Sequence, residues 1–204
     1  MSWIGVKEGI KTELVTAFQQ SFTQAFWNSL NPSMGQINPE DVVMASYPDV
    51  QTVYPFLRVE VLINAAHWDN IGMMGGENKA DVAGILGKGT FSTDIYALSA
   101  EARDKLSDGL LALLLAREGY PGYNVFDNLL GQMAEQGYPR LFLYKGTLTL
   151  GTDDEGQGVP WEPDKKIYAT TLTVGFDFAF SMPIEGLSDI IREIDTQVHM
   201  QAGV

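Results

Sequence analysis

The stretch Ile167–Met182, IYATTLTVGFDFAFSM, decides the fold because its apolar side chains alternate almost without error. Successive side chains on a β-strand point to opposite faces, so a period of two indicates a strand with one buried face. The apolar side carries Tyr168, Leu172, Val174, Phe176, Phe178, Phe180 and Met182. At about 3.3 Å per residue such a strand extends on the order of 50 Å, beyond the usual ~17–20 Å. We therefore expect part of it to project beyond the body, or to bend at Gly175.

Three further segments alternate in the same way and are predicted as strands, namely Tyr54–Asn64, Gly89–Leu98 and Leu141–Leu150. The second face of the first strand mixes apolar and polar residues, so we expect it to be covered by a helix or by a neighbouring subunit. The acidic loop Gly151–Asp164 joins the third strand to the long one. This arrangement predicts a long β-hairpin with an extended tip.

Helical spacing of apolar residues predicts one long helix over Lys7–Leu30, ended by the Asn-Pro step that follows it. Its stripe of phenylalanines is interpreted as core packing, with an exposed oligomer seam as the alternative. Ser99 is the expected N-cap of a second helix that ends near Arg117. A short helix is predicted over Val125–Glu135, and a terminal helix is predicted after Pro183.

The order of these elements predicts an α+β fold, in which helices cover one face of an antiparallel sheet of about four strands. The 204 residues, 45% of them hydrophobic, are enough for one domain with a sizeable core. We expect loop insertions near 65–88, 120–139 and 151–165. The first, His67–Lys88, is rich in glycine and shows no sustained period, which predicts a long loop.

Composition excludes several classes of function. The formal net charge of −13 disfavours non-specific attraction to nucleic acid or to an anionic membrane. The absence of cysteine excludes disulfides, thiolate nucleophiles and zinc-thiolate sites. The first residues lack the pattern of a secretory signal, and the longest apolar run, Leu110–Ala116, is too short to span a bilayer. We expect a soluble protein with no membrane partner.

Motifs that carry chemistry are largely missing. The two histidines, His67 and His199, form no paired metal motif, and the sequence has no nucleophile elbow, P-loop or dinucleotide fingerprint. His67 beside Asp69 or Asp94 leaves a small hydrolase as an alternative, although a solvated histidine is the favoured interpretation. We expect no catalytic residue, no bound metal and no cofactor.

Two loops supply the candidate interaction residues. The carboxylates of the acidic loop lack the D-x-D-x-D-G spacing of a calcium loop, so a solvated hairpin tip is favoured over a cation site. Trp161, between two prolines, either folds back on the sheet or contacts a partner. Adjacent methionines lie in the glycine-rich loop. The full candidate set is Met73, Met74, Asp153, Asp154, Glu155 and Trp161.

The segment Phe91–Leu115, FSTDIYALSAEARDKLSDGLLALLL, resembles the neck proteins of tailed bacteriophages, most closely the tail terminator, head-tail joining and tail completion group. The N-terminal helix and the strands YPFLRVEVLI and YATTLTVGFDFAF add to the resemblance, which covers much of the chain. The resemblance lies in the order of the elements and in the general pattern of residue types along them. The three insertions make this chain longer than a compact terminator.

The resemblance implies a structural virion protein at the head-tail interface, assembled in the host cytoplasm as a homo-oligomeric ring, commonly a hexamer. Such a ring caps the tail tube and joins it to the head-completion or connector proteins. DNA then passes through an acidic lumen without sequence-specific binding. The alternatives from other classes are the small hydrolase and a monomeric adaptor that binds a protein through the hairpin.

Overall fold

A six-stranded sheet is the centre of the computed structural model, which describes residues 3–45, 53–69, 82–115, 125–160 and 162–183. The strands are β1 Val43–Met44, β2 Phe56–Asp69, β3 Val82–Ala97, β4 Arg140–Leu150, β5 Asp154–Val159 and β6 Glu162–Pro183. Their order is β1-β2-β3-β6-β4, with β5 also paired to β6. All pairs are antiparallel except β1 with β2. The α+β prediction is therefore confirmed, with the four expected long strands and two short ones.

Helices cover one face of this sheet. They are α1 Trp3–Ser21, α2 Gln24–Leu30, α3 Pro39–Val42, α4 Ala100–Leu115 and α5 Val125–Glu135, with a 3₁₀ turn at Pro32–Met34. Helix α1 packs on β2 and on α5, α4 packs on β3 and β6, and α5 packs on β4. Ser99 caps α4 as predicted, since the amide of Ala102 donates to its hydroxyl at 3.2 Å.

The prediction of one helix from Lys7 to Leu30 is wrong, because the chain breaks at residues 22 and 23 into α1 and α2. The Ser21 hydroxyl donates to the Ala17 carbonyl at 2.6 Å, a local bond that competes with the helix. Thr23 then caps the next helix by accepting from the amide of Phe26 at 3.2 Å. Two short polar side chains therefore override an unbroken apolar stripe.

The long loop predicted over His67–Lys88 is also wrong at both ends, because β2 continues to Asp69 and β3 begins at Val82. Gly87, one of the glycines that indicated a loop, is a strand position where an aromatic ring approaches the backbone. A Cβ built on Gly87 would lie 2.3 Å from the Phe178 ring and 2.7 Å from the Ala65 carbonyl oxygen. Packing requires a glycine there. In the sequence alone, this requirement cannot be distinguished from the glycine content of a loop.

The alternation of the long strand is confirmed by burial. Its helix-facing residues Leu172, Val174, Phe176 and Phe178 are all at most 1% exposed. They share one core cluster with apolar residues of α1, α4 and α5. The phenylalanine stripe belongs to this core, since the Phe18 ring is buried and stacks on Phe126 with centroids 4.7 Å apart. Core packing, rather than an oligomer seam, explains Phe18.

The start of the long strand packs on the body instead of projecting from it. Ile167 is 1% exposed and forms a second small apolar cluster with Tyr54 and Phe56. The Lys165 ammonium lies 5.8 Å from the Tyr54 ring centroid. The predicted pairing of Leu141–Leu150 with the long strand is present, since β4 and β6 are antiparallel neighbours, and the acidic loop between them contains the additional strand β5, which also pairs with β6. The predicted terminal helix lies outside the described residues.

Candidate functional site

In the described ranges no helix packs on the sheet face opposite the main core, and we call this surface the open face. The helices contribute their buried apolar residues to the main core alone. Within the described ranges, no helix residue joins the second cluster, which lies on the open face. The second cluster therefore fills the open face beside Phe56, where β2 begins. The remainder of that face stays accessible in the described ranges.

Strand register defines rows of neighbours across the open face. One row runs Leu62, Thr90, Gly175, Tyr144, from β2 through β3 and β6 to β4. The row below it contains Glu60, Ser92 and Thr173. The central strands β3 and β6 thus present small or polar side chains in both rows.

The large apolar side chains of the open face that remain exposed lie on its two outermost long strands. Leu62 on β2 is 58% exposed, and on β4 Phe142 and Tyr144 are 47% and 43% exposed. The guanidinium of Arg140 lies 5.2 Å from the Phe142 ring centroid, and the Tyr144 hydroxyl donates to Asp177. That bond raises the pKa of Tyr144. The sequence did not single out Leu62, Phe142 or Tyr144 as candidate site residues, although each lies in a predicted strand.

A charged network crosses the open face one row further down. The Arg58 guanidinium donates to Asp94 at 2.8 Å and also to Glu60. The Thr171 hydroxyl donates to the other oxygen of Asp94 at 2.8 Å. Arg58 is 8% exposed, so its charge is taken out of water and compensated by these carboxylates. The network ties β2, β3 and β6 in one register and has a structural role.

The acidic loop is fastened to the body rather than free at its start. Asp153 and Asp154 are both exposed, and the Asp153 carboxylate lies 3.3 Å from the guanidinium of Arg103 in α4. Glu155 belongs to β5, but its side chain lies outside the described residues, as do Met73, Met74 and Trp161. Of the six candidate interaction residues, the structure therefore places only the first two aspartates.

An acidic surface extends from this loop along α4. Glu101, Asp104 and Asp108 are exposed on that helix, with Lys105 among them. The Arg103 guanidinium below them is buried and pairs with Asp104 at 2.7 Å. Much of the negative charge of the described residues is thus displayed on α4 and the adjoining loop.

The residues of the hydrolase alternative are not gathered at one place. His67 is exposed near the far end of β2, whereas Asp94 lies opposite Arg58, nine positions away along that strand. Nine residues of strand correspond to about 30 Å. The Asp69 side chain lies outside the described residues. Across the described ranges, no three residues of the histidine, cysteine, aspartate and glutamate types are grouped so that they could hold a metal ion.

Glu13 of α1 is a buried acid that the sequence analysis also missed. Its side chain is fully buried, and neither carboxylate oxygen has a hydrogen-bond partner among the described residues. Burial raises the pKa of Glu13 to about 8. At neutral pH the group is therefore mainly protonated, as expected for a carboxyl in apolar surroundings.

A cleft of about 900 Å³ runs between α5 and β4, along the outer edge of the sheet. Its walls include Gly131 and Gln132 of α5 and Leu143 and Phe142 of β4. A Cβ on Gly131 would meet nothing within 4 Å. The Lys145 ammonium of β4 pairs with Asp127 of α5, which fixes helix and strand relative to each other.

Comparison with known proteins gives no relative. No protein-family model matches the sequence, and no match is found among curated proteins. None of the helices in the described ranges is both long and apolar enough to cross a membrane. Any function must therefore be argued from the surfaces of this molecule.

Proposed function

We propose that this chain is a structural protein of the tailed-phage neck that assembles as a ring, with six copies as the expected number. The observation that carries the proposal is the open face. A sheet with strands of 14 to 22 residues and helices on one side only leaves a large surface uncovered among the described residues. An antiparallel sheet can face water on one side, so the feature of this surface that favours a partner is the exposure of Leu62, Phe142 and Tyr144 at its edges.

Ring closure follows from a head-to-tail contact when the rotation between copies divides a full turn. The open face offers different residues at its two edges, Leu62 at one and Phe142 with Tyr144 at the other. Two different patches suit a head-to-tail contact better than a twofold one, in which each patch meets itself.

The charge of the chain suits the passage of DNA. A net charge of −13 and the acidic surface of α4 repel phosphates, so DNA moves past without being held. In this proposal the ring caps the tail tube and contacts the head-completion or connector proteins. It assembles in the host cytoplasm and resides at the head-tail interface of the virion.

Negative-stain electron microscopy of the purified chain tests the proposal. We expect rings with a central hole, and light scattering should give the mass of several copies. A protein that stays monomeric at high concentration, and that also fails to associate with tail-tube or connector proteins, contradicts the proposal.

The hydrolase alternative has little geometric support, because His67 and Asp94 lie about 30 Å apart along the sheet. The adaptor alternative relies on the hairpin, whose start is fastened to α4 through Asp153 and Arg103. Imaging separates both alternatives from the ring, since neither a hydrolase nor a monomeric adaptor requires a central hole.

A further inference from the structure

We propose that the two edges of the open face meet between neighbouring copies, with β2 of one copy laid beside β4 of the next and Leu62 packed against Tyr144 and Phe142. This inference rests on the proposed ring and names the contact that closes it. The partner at this surface is accordingly a second copy of the chain. The sheet then continues from copy to copy around the ring.

The first argument is the distribution of apolar side chains. A partner that lies flat on the open face would require apolar residues at its centre, as interface cores do. The centre instead carries Thr90, Ser92 and Thr173, while the exposed apolar residues lie on the outermost long strands. This pattern indicates a contact at the edges.

Register provides the second argument. Leu62 and Tyr144 are the two ends of a single row across four strands. When the sheet is extended by another copy, the end of that row meets the beginning of the same row in the neighbour. Two exposed apolar side chains, one from each copy, then become neighbours and cover each other.

The edges themselves can accept a strand. On its outer side β2 pairs with β1 only at Leu57 and Arg58, so from Val59 onward this side has no strand partner among the described residues. On the other side of the sheet, the stretch Arg140–Tyr144 of β4 is paired to β6 alone in the described ranges. Unpaired backbone amides and carbonyls at an exposed edge readily pair with another chain.

Strand direction agrees with a rotational arrangement. Because β2, β3, β6 and β4 alternate in direction, β4 runs opposite to β2 within one copy. A rotation about an axis roughly along the strands keeps each direction, so β4 meets the next copy's β2 in the antiparallel sense. Antiparallel pairing forms perpendicular hydrogen bonds and is the more stable kind.

The cleft beside β4 provides room for the incoming strand. It is about 900 Å³ in volume, and Phe142 and Leu143 line it on the strand side. Helix α5 bounds it on the other side, where Gly131 leaves open space. A neighbouring strand with its side chains can therefore approach β4 without displacing α5.

Engineered disulfides test the contact, and the absence of native cysteine makes the experiment clean. The variants are Leu62→Cys with Tyr144→Cys, and Leu62→Cys with Phe142→Cys for a stagger of two residues. Within one copy, the Leu62 and Tyr144 positions are three strand spacings apart, about 14 Å. That exceeds the ~7 Å limit between Cα atoms of a disulfide, so a bond between them must join two copies.

Under oxidising conditions we expect a ladder of covalent oligomers on a denaturing gel, ending at the copy number of the ring. A mixture of the two single-cysteine proteins, Leu62→Cys and Tyr144→Cys, should stop at dimers. Leu62→Cys paired with Asp104→Cys on α4 is the control and should give no ladder. Dimers from Leu62→Cys alone would overturn the proposal, because they would reveal a twofold contact.

Assembly and cross-linking fail in distinguishable ways. If rings form but neither cysteine pair cross-links, the edge contact is wrong while the proposed function stands. If no rings form and no partner binds, the proposed function itself is wrong. Circular dichroism and thermal melting of each variant verify folding. A double-cysteine variant that misfolds is replaced by the Leu62→Lys variant.

Leu62→Lys provides the second test. We expect at least a tenfold increase in the concentration needed for half-assembly, because the ammonium would be buried against Tyr144. Leu98→Lys is the matched control, since Leu98 is similarly exposed at 49% but precedes α4 instead of lying on an edge. Both changes reduce the negative net charge equally. Equal assembly of the two variants would overturn the proposal.

Discussion

The two faces of the sheet use the same strands for different purposes. The helix-covered face is filled with large side chains such as Phe91, Phe176 and Phe178, which are almost entirely buried. The open face alternates with them along the same strands, yet it displays threonine, serine and a charged network, and its large exposed apolar residues lie at its edges. Most of the apolar burial that stabilises the fold is therefore on the helix-covered face, while the open face keeps exposed apolar side chains at its edges.

The largest effect should come from emptying the covered face. Phe176→Ala removes a fully buried ring, and we expect the free energy of unfolding to fall by about 3–5 kcal/mol. Thr173→Ala on the open face of the same strand is the control and should change it by less than about 0.5 kcal/mol. Urea denaturation measures both. Equal losses would mean that the two faces do not differ in this way.

A second effect depends on pH through Glu13. Its pKa is about 8 in the folded protein and near 4.5 when unfolded, so the folded state holds the extra proton between these values. Stability should therefore fall as the pH rises from about 4.5 to 8, by at most about 1.4 kcal/mol per pH unit. Below and above that window the contribution is constant.

Glu13→Gln should remove this pH dependence, because an amide does not titrate. Glu8→Gln is the matched control on the same helix, where the side chain is exposed. Urea denaturation from pH 5 to pH 8 compares the slopes of the three proteins. A slope that persists in Glu13→Gln would assign the pH dependence to other groups.

A third substitution tests how closely the backbone of β3 approaches the Phe176 side chain on the helix-covered face. Gly89→Ala places a methyl group against the Phe176 ring and the Leu62 carbonyl, which should cost about 1–3 kcal/mol. Gly146→Ala on β4 meets nothing within 4 Å and should be close to neutral. Thermal unfolding compares the two. A stable Gly89→Ala protein would indicate that the Phe176 ring moves freely.

A fourth effect, of similar size to the third, belongs to the open face. Asp94→Ala removes the carboxylate that accepts from Arg58 and Thr171, and we expect a loss of about 1–3 kcal/mol. Asp108→Ala, an exposed aspartate on α4, is the control and should change stability little. If both variants melt alike, the network contributes nothing measurable.

Sequence periodicity predicted the strands well because burial on one face repeats every two residues. The four long strands and the α+β class were found in this way, and so were α4 with its Ser99 cap and α5. Predictions failed where tertiary contacts decided local structure. The Thr23 cap splits one helix into two, and Gly87 is a strand residue packed against the Phe178 ring although the glycine-rich sequence indicates a loop there.

The candidate site was predicted less well than the fold. Exposure of Leu62, Phe142 and Tyr144 depends on which strands lie at the edges of the sheet, and strand order is not visible in a periodic pattern. Pairing of Asp153 with Arg103 likewise joins residues that are distant in sequence. Met73, Met74 and Trp161 lie outside the described residues, so their role as contacts stays a prediction.

Hydrogen exchange during assembly tests most directly whether the edges of the open face hold the ring together. Backbone amides would be compared between dilute protein and assembled protein, with mass spectrometry reporting protection by segment. We predict new protection at residues 59–63 of β2 and 140–144 of β4, with no change along the exposed side of α4. Protection of α4, with both edges exchanging as fast as in dilute protein, would contradict the account.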